Sequence, residues 1–541
     1  MRAQGIARYA ALAFPILILA VFILFPVFIV TVRGFMDGTS FIDVLGLSRI
    51  QFTIIFTFSQ AILSTILAVV IGLPGAFLIA RLRFRGKSLV KAMMIVPFVL
   101  PPIVVVVGFL QMFGSYGLID SILMWIQGSS ASVFNLARGV PGIILAHTFY
   151  NVPLVLLIVS ASLERLNPEI EESAEILGAS PFQRLRRITL PHIMPSLLAA
   201  AVLTFMFCFM SFPIVLAFGQ GVYLTIEAQI YNAFRFFDYG QASSLTLVQI
   251  IVTLSLAFVY VQLGRHQDST GPTASIKTTT INRYSHIEKG FIAGYLILIV
   301  ILVLGPIATI IRASVFDPTL QRYTLDGFIT LFTDGSWYLV NSLFYAGLAT
   351  LFAVLLGIPL AISMRSRSKT IPTLASIMIL LPLGISSVTV AYGLVLVIAV
   401  PLGLVTNPWP IIVVAQTIIG LPFSARAIEI AMSKIDMALL DQADSLGASR
   451  IQRLLYIEIP LLAPGILVGG VFAFAMAIGE MSATLFIALP QNYTLAVAIY
   501  NYLGVRAFVE AGAAALILVI ICVLAFLIME RISEGSTGGA L

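Results

Sequence analysis

Charge is scarce in this sequence. Lys, Arg, Asp and Glu supply only 10% of its 541 residues, hydrophobic residues supply 60%, and mean hydropathy is +1.07. So little polar surface cannot clothe a soluble globule of this length, which excludes the soluble classes and leaves a membrane protein. Cysteine is nearly absent: Cys208 and Cys522 both fall in apolar runs, so neither a disulfide framework nor a thiolate metal site is expected. Histidine is also scarce, with four in the chain. His147 has no second His or Cys at ligand spacing and reads as a packing residue, so no metal is expected. A complete phosphate-binding loop is also missing. Gly86-Lys87-Ser88 resembles the end of one, but Arg81 stands where the first Gly belongs and no strand precedes it. The chain is therefore expected to have no catalytic residues, to bind no cofactor and not to hydrolyse ATP by itself.

What is present is a succession of apolar runs of about 20 residues, the length that crosses a hydrocarbon core. They lie near 9–32, 54–80, 89–112, 140–163, 193–218 and 244–264, then near 289–312, 338–364, 372–400, 408–431, 461–488 and 510–529. The fold class expected is an all-α polytopic membrane protein of about twelve helices. Arg2 and Arg8 precede the first run, which is longer than the core of a signal peptide and is followed by no small-x-small cleavage site; it is expected to be retained. The net charge of +6 is distributed rather than patched. With a cytoplasmic N-terminus, Lys87, Lys91, Lys277, Lys289, Lys369 and Lys434 all fall inside, together with the clusters Arg81-Leu-Arg83-Phe-Arg85 and Arg184-Leu-Arg186-Arg187. This positive-inside bias places both termini in the cytoplasm and argues against a nucleic-acid partner; the partner of most of the surface is the lipid bilayer.

A polar segment occurs twice between spans: Glu172-Ser-Ala174-x3-Gly178-x9-Ile188-Thr-Leu190-Pro191, and Asp441-Gln-Ala443-x3-Gly447-x9-Ile457-Glu-Ile459-Pro460, offset by 269. The duplication extends further. Gly72-Leu-Pro74 matches Gly357-Ile-Pro359, and Pro97 and Gly108 match Pro382 and Gly393, all offset by 285, so the second half has lost about 16 residues of the outer loop after its third span. In the first half that loop includes Leu118–Ile126, an expected interfacial helix. Six spans per half give two parallel six-helix repeats, an arrangement that lines a path between them. The expected segments are a first helix and outer loop over 1–53, a first transmembrane domain over 54–264, a cytoplasmic linker over 265–288, a seventh helix and outer loop over 289–337, a second domain over 338–530 and a tail over 531–541.

The repeated segment reads as a compact helix–turn–helix. Asn167 or Asp436 caps a first short helix, Pro168 suits its first turn, and Gly178 or Gly447 ends it in a left-handed conformation. Ser180 or Ser449 then caps a second, and Pro191 or Pro460 closes the segment before the next span. The pattern resembles the Glu-Ala-Ala-x3-Gly-x9-Ile-x-Leu-Pro signature of permease subunits of type I ATP-binding-cassette importers, over roughly 54–264 and 338–529. The second copy departs from it at Asp441, Gln442 and Ile459. The resemblance implies a type I permease core in each repeat and makes Glu172, Ala174, Gly178 and Pro191, with Asp441, Ala443, Gly447 and Pro460, the loops that dock on the ATPase. It implies as partners two copies of a cytoplasmic ATPase, which would bind the ATP, and an extracytoplasmic substrate-binding protein.

Fused double permeases of this size are similar to the ferric-iron and thiamine importer group, to which Gly479-Glu480-Met-Ser-Ala-Thr484-Leu and Cys208-Phe-Met-Ser211-Phe also bear a resemblance. Candidate path residues are Glu480, Ser211, Asn151 and Thr484; Glu480 also reads as a structural carboxylate hydrogen-bonded between helices. The prolines Pro74, Pro97, Pro101, Pro102, Pro153 and Pro213 read as hinges or static kinks. The aromatic segment Tyr231–Tyr239 would receive the binding protein or anchor in headgroups. An ion-gradient-driven secondary transporter is the alternative; it calls for several charges near the midplane, of which this reading finds essentially Glu480.

Overall fold

The computed structural model describes residues 13–36, 41–84, 86, 87, 90, 93, 94, 97, 100–265, 279, 280, 285–317, 322–365 and 370–537. Most of the expected linker, with Lys277, and the last four residues of the tail lie outside the described residues, as do Lys91 and Lys369. Among the described residues eleven helices are long and apolar enough to cross a membrane, and twelve if Thr370–Gly384 and Ser387–Ala399, bent by 95° at their junction, form one broken span. The described strands are two-residue fragments.

Each repeat is built on three helices that pack on one another. In the first, Ser48–Arg81 (span 2), Gly139–Leu163 (span 4) and Leu190–Phe209 (the body of span 5) meet around Ala68, Ala76, Val155, Val159, Ile193 and Ala200. In the second, Ser336–Met364, Trp409–Ser433 and Ile459–Ile478 (spans 8, 10 and 11) do the same. Small side chains at these contacts let backbones approach closely, which is how helices associate where lipid offers no hydrophobic drive. The outward faces stay apolar and exposed, as at Ile55, Ile62, Ile66 and Val70 of span 2.

The packing units do not coincide with the sequence repeats. One comprises 1–41, 230–247 and 323–541; the other comprises 42–229 and 248–322. The first span thus packs in the unit of the second repeat, where a Cβ on Gly393 would stand 2.8 Å from the Cβ of Pro26. In the other unit the seventh span, His286–Val315, packs on Pro102–Phe113: a Cβ on Gly108 would collide with the carbonyl of Pro306, and Thr309 Oγ1 donates to Gly108 O at 2.9 Å. The matched glycines of the two repeats therefore admit a helix carrying a proline.

Several span limits differ from expectation. The fifth span is helical from Pro181, stops at Phe209 and is followed by a separate helix, Pro213–Phe218. The break is Met210–Phe212, and Pro213, which has no N–H to donate, takes the first position of the new helix. The eleventh span likewise ends at Ile478, and Ser482–Ile487 forms its own short helix. Pro102 and Pro213 start helices rather than kink them, whereas Pro74 and Pro153 do lie inside helices. Leu118–Gln127 is the outer-loop helix; buried Asp120 ties the loop down by accepting from the backbone N–H groups of Tyr116, Val133 and Phe134 at 2.7–2.9 Å.

Candidate coupling loops and path residues

The two polar segments fold alike because their local signals are alike. Asn167 Oδ1 accepts from Glu169 N at 3.0 Å and opens the helix Pro168–Ile176; Asp436 Oδ1 accepts from Ala438 N at 2.9 Å and opens Met437–Ser445. Gly178 and Gly447 follow at φ +83° and +82°, values that L side chains adopt only at a cost. Beyond them Ser180 and Gln183, and again Ser449 and Gln452, satisfy each other's backbone N–H in a capping box, at 2.8 and 3.3 Å in both copies.

Pro191 and Pro460 do not close the segments. A single π-helical turn, Leu185–Thr189 or Leu454–Glu458, runs directly into the span, and its wider spacing accommodates the proline that follows, which has no N–H for an α-type bond.

One matched contact was not read from the sequence. Arg184 Nη1 binds Glu175 at 2.5 Å and Arg453 Nη1 binds Asp444 at 2.5 Å, both pairs spanning the turn from one short helix to the next. The register predicts that arginines recur, but a contact nine residues apart across a turn is visible only once the Gly conformation is known. Burial opposes the Arg453 charge, yet Glu458 and then Asp444 outweigh it and raise its pKa. At the turn itself Leu177 and Leu446 stand 87% and 89% exposed, an apolar tip that the described residues leave uncovered. Ala443 is buried, Ala174 and Glu172 are partly covered, and Asp441 is exposed.

The path candidates fall in two separate sets. Glu480 is not inside a helix but in the break after the eleventh span. It is buried, and its carboxylate accepts from Ala483 N, Thr484 N and Thr484 Oγ1 at 2.7–2.9 Å, capping the short helix Ser482–Ile487. Thr484 Oγ1 also takes Gln416 Nε2 at 3.4 Å. In the other unit, Asn151 Nδ2 donates to His147 O at 2.8 Å and reaches Cys208 Sγ at 3.4 Å, while the Ser211 carbonyl accepts from Thr225 Oγ1 at 3.4 Å. Gln60 joins this network through Cys208 O at 2.9 Å, and Ser64 approaches His147 Nδ1 at 3.5 Å. His147 Nε2 and Gln60 Oε1 are buried with no partner among the described residues, and no group of three or more metal-ligating side chains occurs there.

Glu480 is not the sole buried acid. Glu227 is fully buried and accepts from Gln249 Nε2 at 2.9 Å, and Glu458 is buried against Arg453. Neither was identified beforehand: Glu227 sits in a short helix outside the long apolar runs, and Glu458 in a loop that reads as exposed. A second matched device is also new. Thr57 Oγ1 accepts from Ile226 N at 3.0 Å and Ser342 Oγ accepts from Leu495 N at 2.7 Å, so one hydroxyl in each repeat pins the start of the outer helix, Ile226–Arg235 or Leu495–Gly504. The aromatic segment divides: Phe234 packs on Phe486 at 4.3 Å between ring centroids, whereas Phe236 and Phe237 are exposed.

Two loops of one design, in one register, each set between spans of a three-helix core, call for a comparison with known transport proteins. The family of binding-protein-dependent transport system inner membrane components matches residues 68–270 and again 353–536. The chain belongs to this family. It is similar to the thiamine transport system permease protein ThiP of Escherichia coli (strain K12), 24% identical over 480 residues that cover 88% of each chain. ThiP of Brucella abortus (strain 2308) is 27% identical over 496 residues, 88% of this chain and 86% of that one. The ferric transport system permease protein FbpB of Actinobacillus pleuropneumoniae is 27% identical over 508 residues, 90% of this chain and 72% of that one. The two matched stretches begin 285 residues apart, the offset of the duplicated second and eighth spans. The chain is thus a multi-pass inner-membrane permease subunit of an ATP-binding-cassette importer, with the family's unit present twice.

Proposed function

We propose that this permease supplies both halves of the path for a small solute of the thiamine or ferric-iron class, handed over by an extracytoplasmic binding protein. Two copies of a cytoplasmic ATPase dock on the loops around Glu172 and Asp441. The observation that carries the reading is the pair of loops themselves: capped helix, positive-φ glycine, Arg–acid brace and bare leucine tip, repeated 269 residues apart. An apolar tip on a polar, rigidly ended helix suits insertion into a groove of a partner. With both loops on the cytoplasmic side, where the lysines fall, both termini are cytoplasmic too. ATP is bound by the partner, and closure of its dimer draws the loops together and biases the spans between two states. Glu480, Thr484, Asn151 and Ser211 remain the candidate path residues, with Glu480 acting at least as the cap of its helix.

The test is uptake of labelled thiamine and, separately, of ferric iron into proteoliposomes carrying the permease, its ATPase and the binding protein. Uptake should persist with the membrane potential collapsed and ATP supplied. Uptake that follows the ion gradient while ATP is present would overturn the reading.

A further inference from the structure

The carboxylate of Glu171, one residue before the docking position Glu172, turns back toward the membrane helices. Its Oε1 takes Arg81 Nη2 at 2.6 Å and the hydroxyl of Thr189, and Arg81 Nη2 also lies 3.4 Å from Thr189 Oγ1. Arg81 is the last residue of the second span, with its guanidinium 5.7 Å from the centre of the Phe77 ring. Thr189, buried, ends the π turn that enters the fifth span. Second span, docking helix and fifth span therefore meet on one oxygen. The Glu171 side chain is only 19% exposed, so the charge-assisted bonds are less screened than those of a surface pair.

The second loop is joined differently. The position matching Glu171 is Leu440, buried, and the one matching Thr189 is Glu458, whose carboxylate is taken by Arg453 of the same loop at 2.8 Å. Arg365, from the end of the eighth span, reaches the carbonyl of Ile435 at 2.6 Å, before the docking helix begins. Among the described residues, the first loop is thus clamped to its span through a side-chain carboxylate on the docking helix itself, and the second is not.

We propose that Glu171 is a positioning residue that transmits movement of the first docking helix to the second and fifth spans, so that the two halves are coupled by different chemistry. The inference rests on the loops being the ATPase-docking elements. Because Glu171 faces its own chain, it is separable from docking: Glu171→Gln should keep the ATPase bound and hydrolysing, while uptake per ATP falls about tenfold, within the 5–150-fold range of ordinary coupling energies.

The experiment measures ATPase co-purification, hydrolysis and uptake in proteoliposomes with whichever of thiamine or ferric iron the parent carries. Exchanging the charges, Arg81→Glu with Glu171→Arg, should recover much of the coupling. Thr189→Val, which keeps volume and removes one donor, should give a smaller loss and serves if the charge variants accumulate poorly. Unchanged uptake per ATP in Glu171→Gln, loss of ATPase binding in that variant, or no recovery in the exchange would each overturn the proposal. Gly178→Val in parallel separates the two levels. If it loses the ATPase while Glu171→Gln stays coupled, only the present inference fails; if it keeps the ATPase and transports normally, the docking reading fails with it.

Discussion

Replacing Gly178 or Gly447 by valine isolates backbone conformation from packing, because a Cβ built at either position meets nothing within 4 Å. The added Cβ makes no clash, and the cost at the backbone comes from φ, +83° and +82°. A residue with a Cβ loses about 1–2 kcal/mol in this region, and a β-branched one is least suited to it. That is about a 5–30-fold loss in the fraction of loops that end the first short helix as the native ones do. Two backbone bonds would have to re-form elsewhere, Gly178 N to Glu175 O and Ala179 N to Ala174 O, both 2.9 Å. The spans lie outside the perturbed segment, so the variants should reach the membrane in near-parental amount. ATPase co-purification, or stimulation of its activity by loaded binding protein, should fall by a comparable factor, and either variant alone should impair transport. Asparagine visits the left-handed region more readily than other residues with a Cβ, so Gly178→Asn should retain most of the function. Exposed Asp441 and partly covered Glu172 make unequal sensitivity of the two loops the expected result. If the valine and asparagine variants behave alike, or both valine variants transport like the parent, the positive-φ argument is wrong.

The purified chain alone should show no ATPase activity; turnover that persists after contaminating ATPase is removed would refute this. Glu480→Gln keeps one acceptor oxygen where the carboxylate used two, so it should weaken the cap of Ser482–Ile487 by about 1 kcal/mol and lower transport with ATPase assembly intact, while wild-type uptake would leave Glu480 no role in transport. Thr57→Val and Ser342→Ala each strip the acceptor from a buried backbone N–H, at Ile226 and Leu495, and should each cost about 1–3 kcal/mol, read as a lowered midpoint of thermal unfolding in detergent. An unchanged midpoint in both would show that the outer helices are held by other contacts.

Helices, caps and turns were legible because each depends on residues close in the chain. Apolar runs of membrane-crossing length predicted the spans, and the Asn167, Ser180 and Gly178 signals predicted the helix–turn–helix segment down to its positive-φ residue, repeated at Asp436, Ser449 and Gly447. Hydropathy was less reliable where the chain breaks for only a few residues. Met210–Phe212 and Gly479–Met481 are too short for Ser211 or Glu480 to interrupt an apolar run of membrane-crossing length, so Glu480 was placed inside a helix that in fact ends before it.

Tertiary structure alone decided which helix packs on which. The register showed that Gly108 and Gly393 match, but not that one receives Pro306 of the seventh span and the other Pro26 of the first. It likewise recorded an arginine at 81 and acids at 171 and 458 without showing that the first acid clamps a span and the other braces its own loop. Secondary structure in a membrane is settled within each segment, since every backbone group must find its partner there. Packing between segments is chosen by shape and by a few buried polar bonds between residues far apart in the chain, and no local pattern records those.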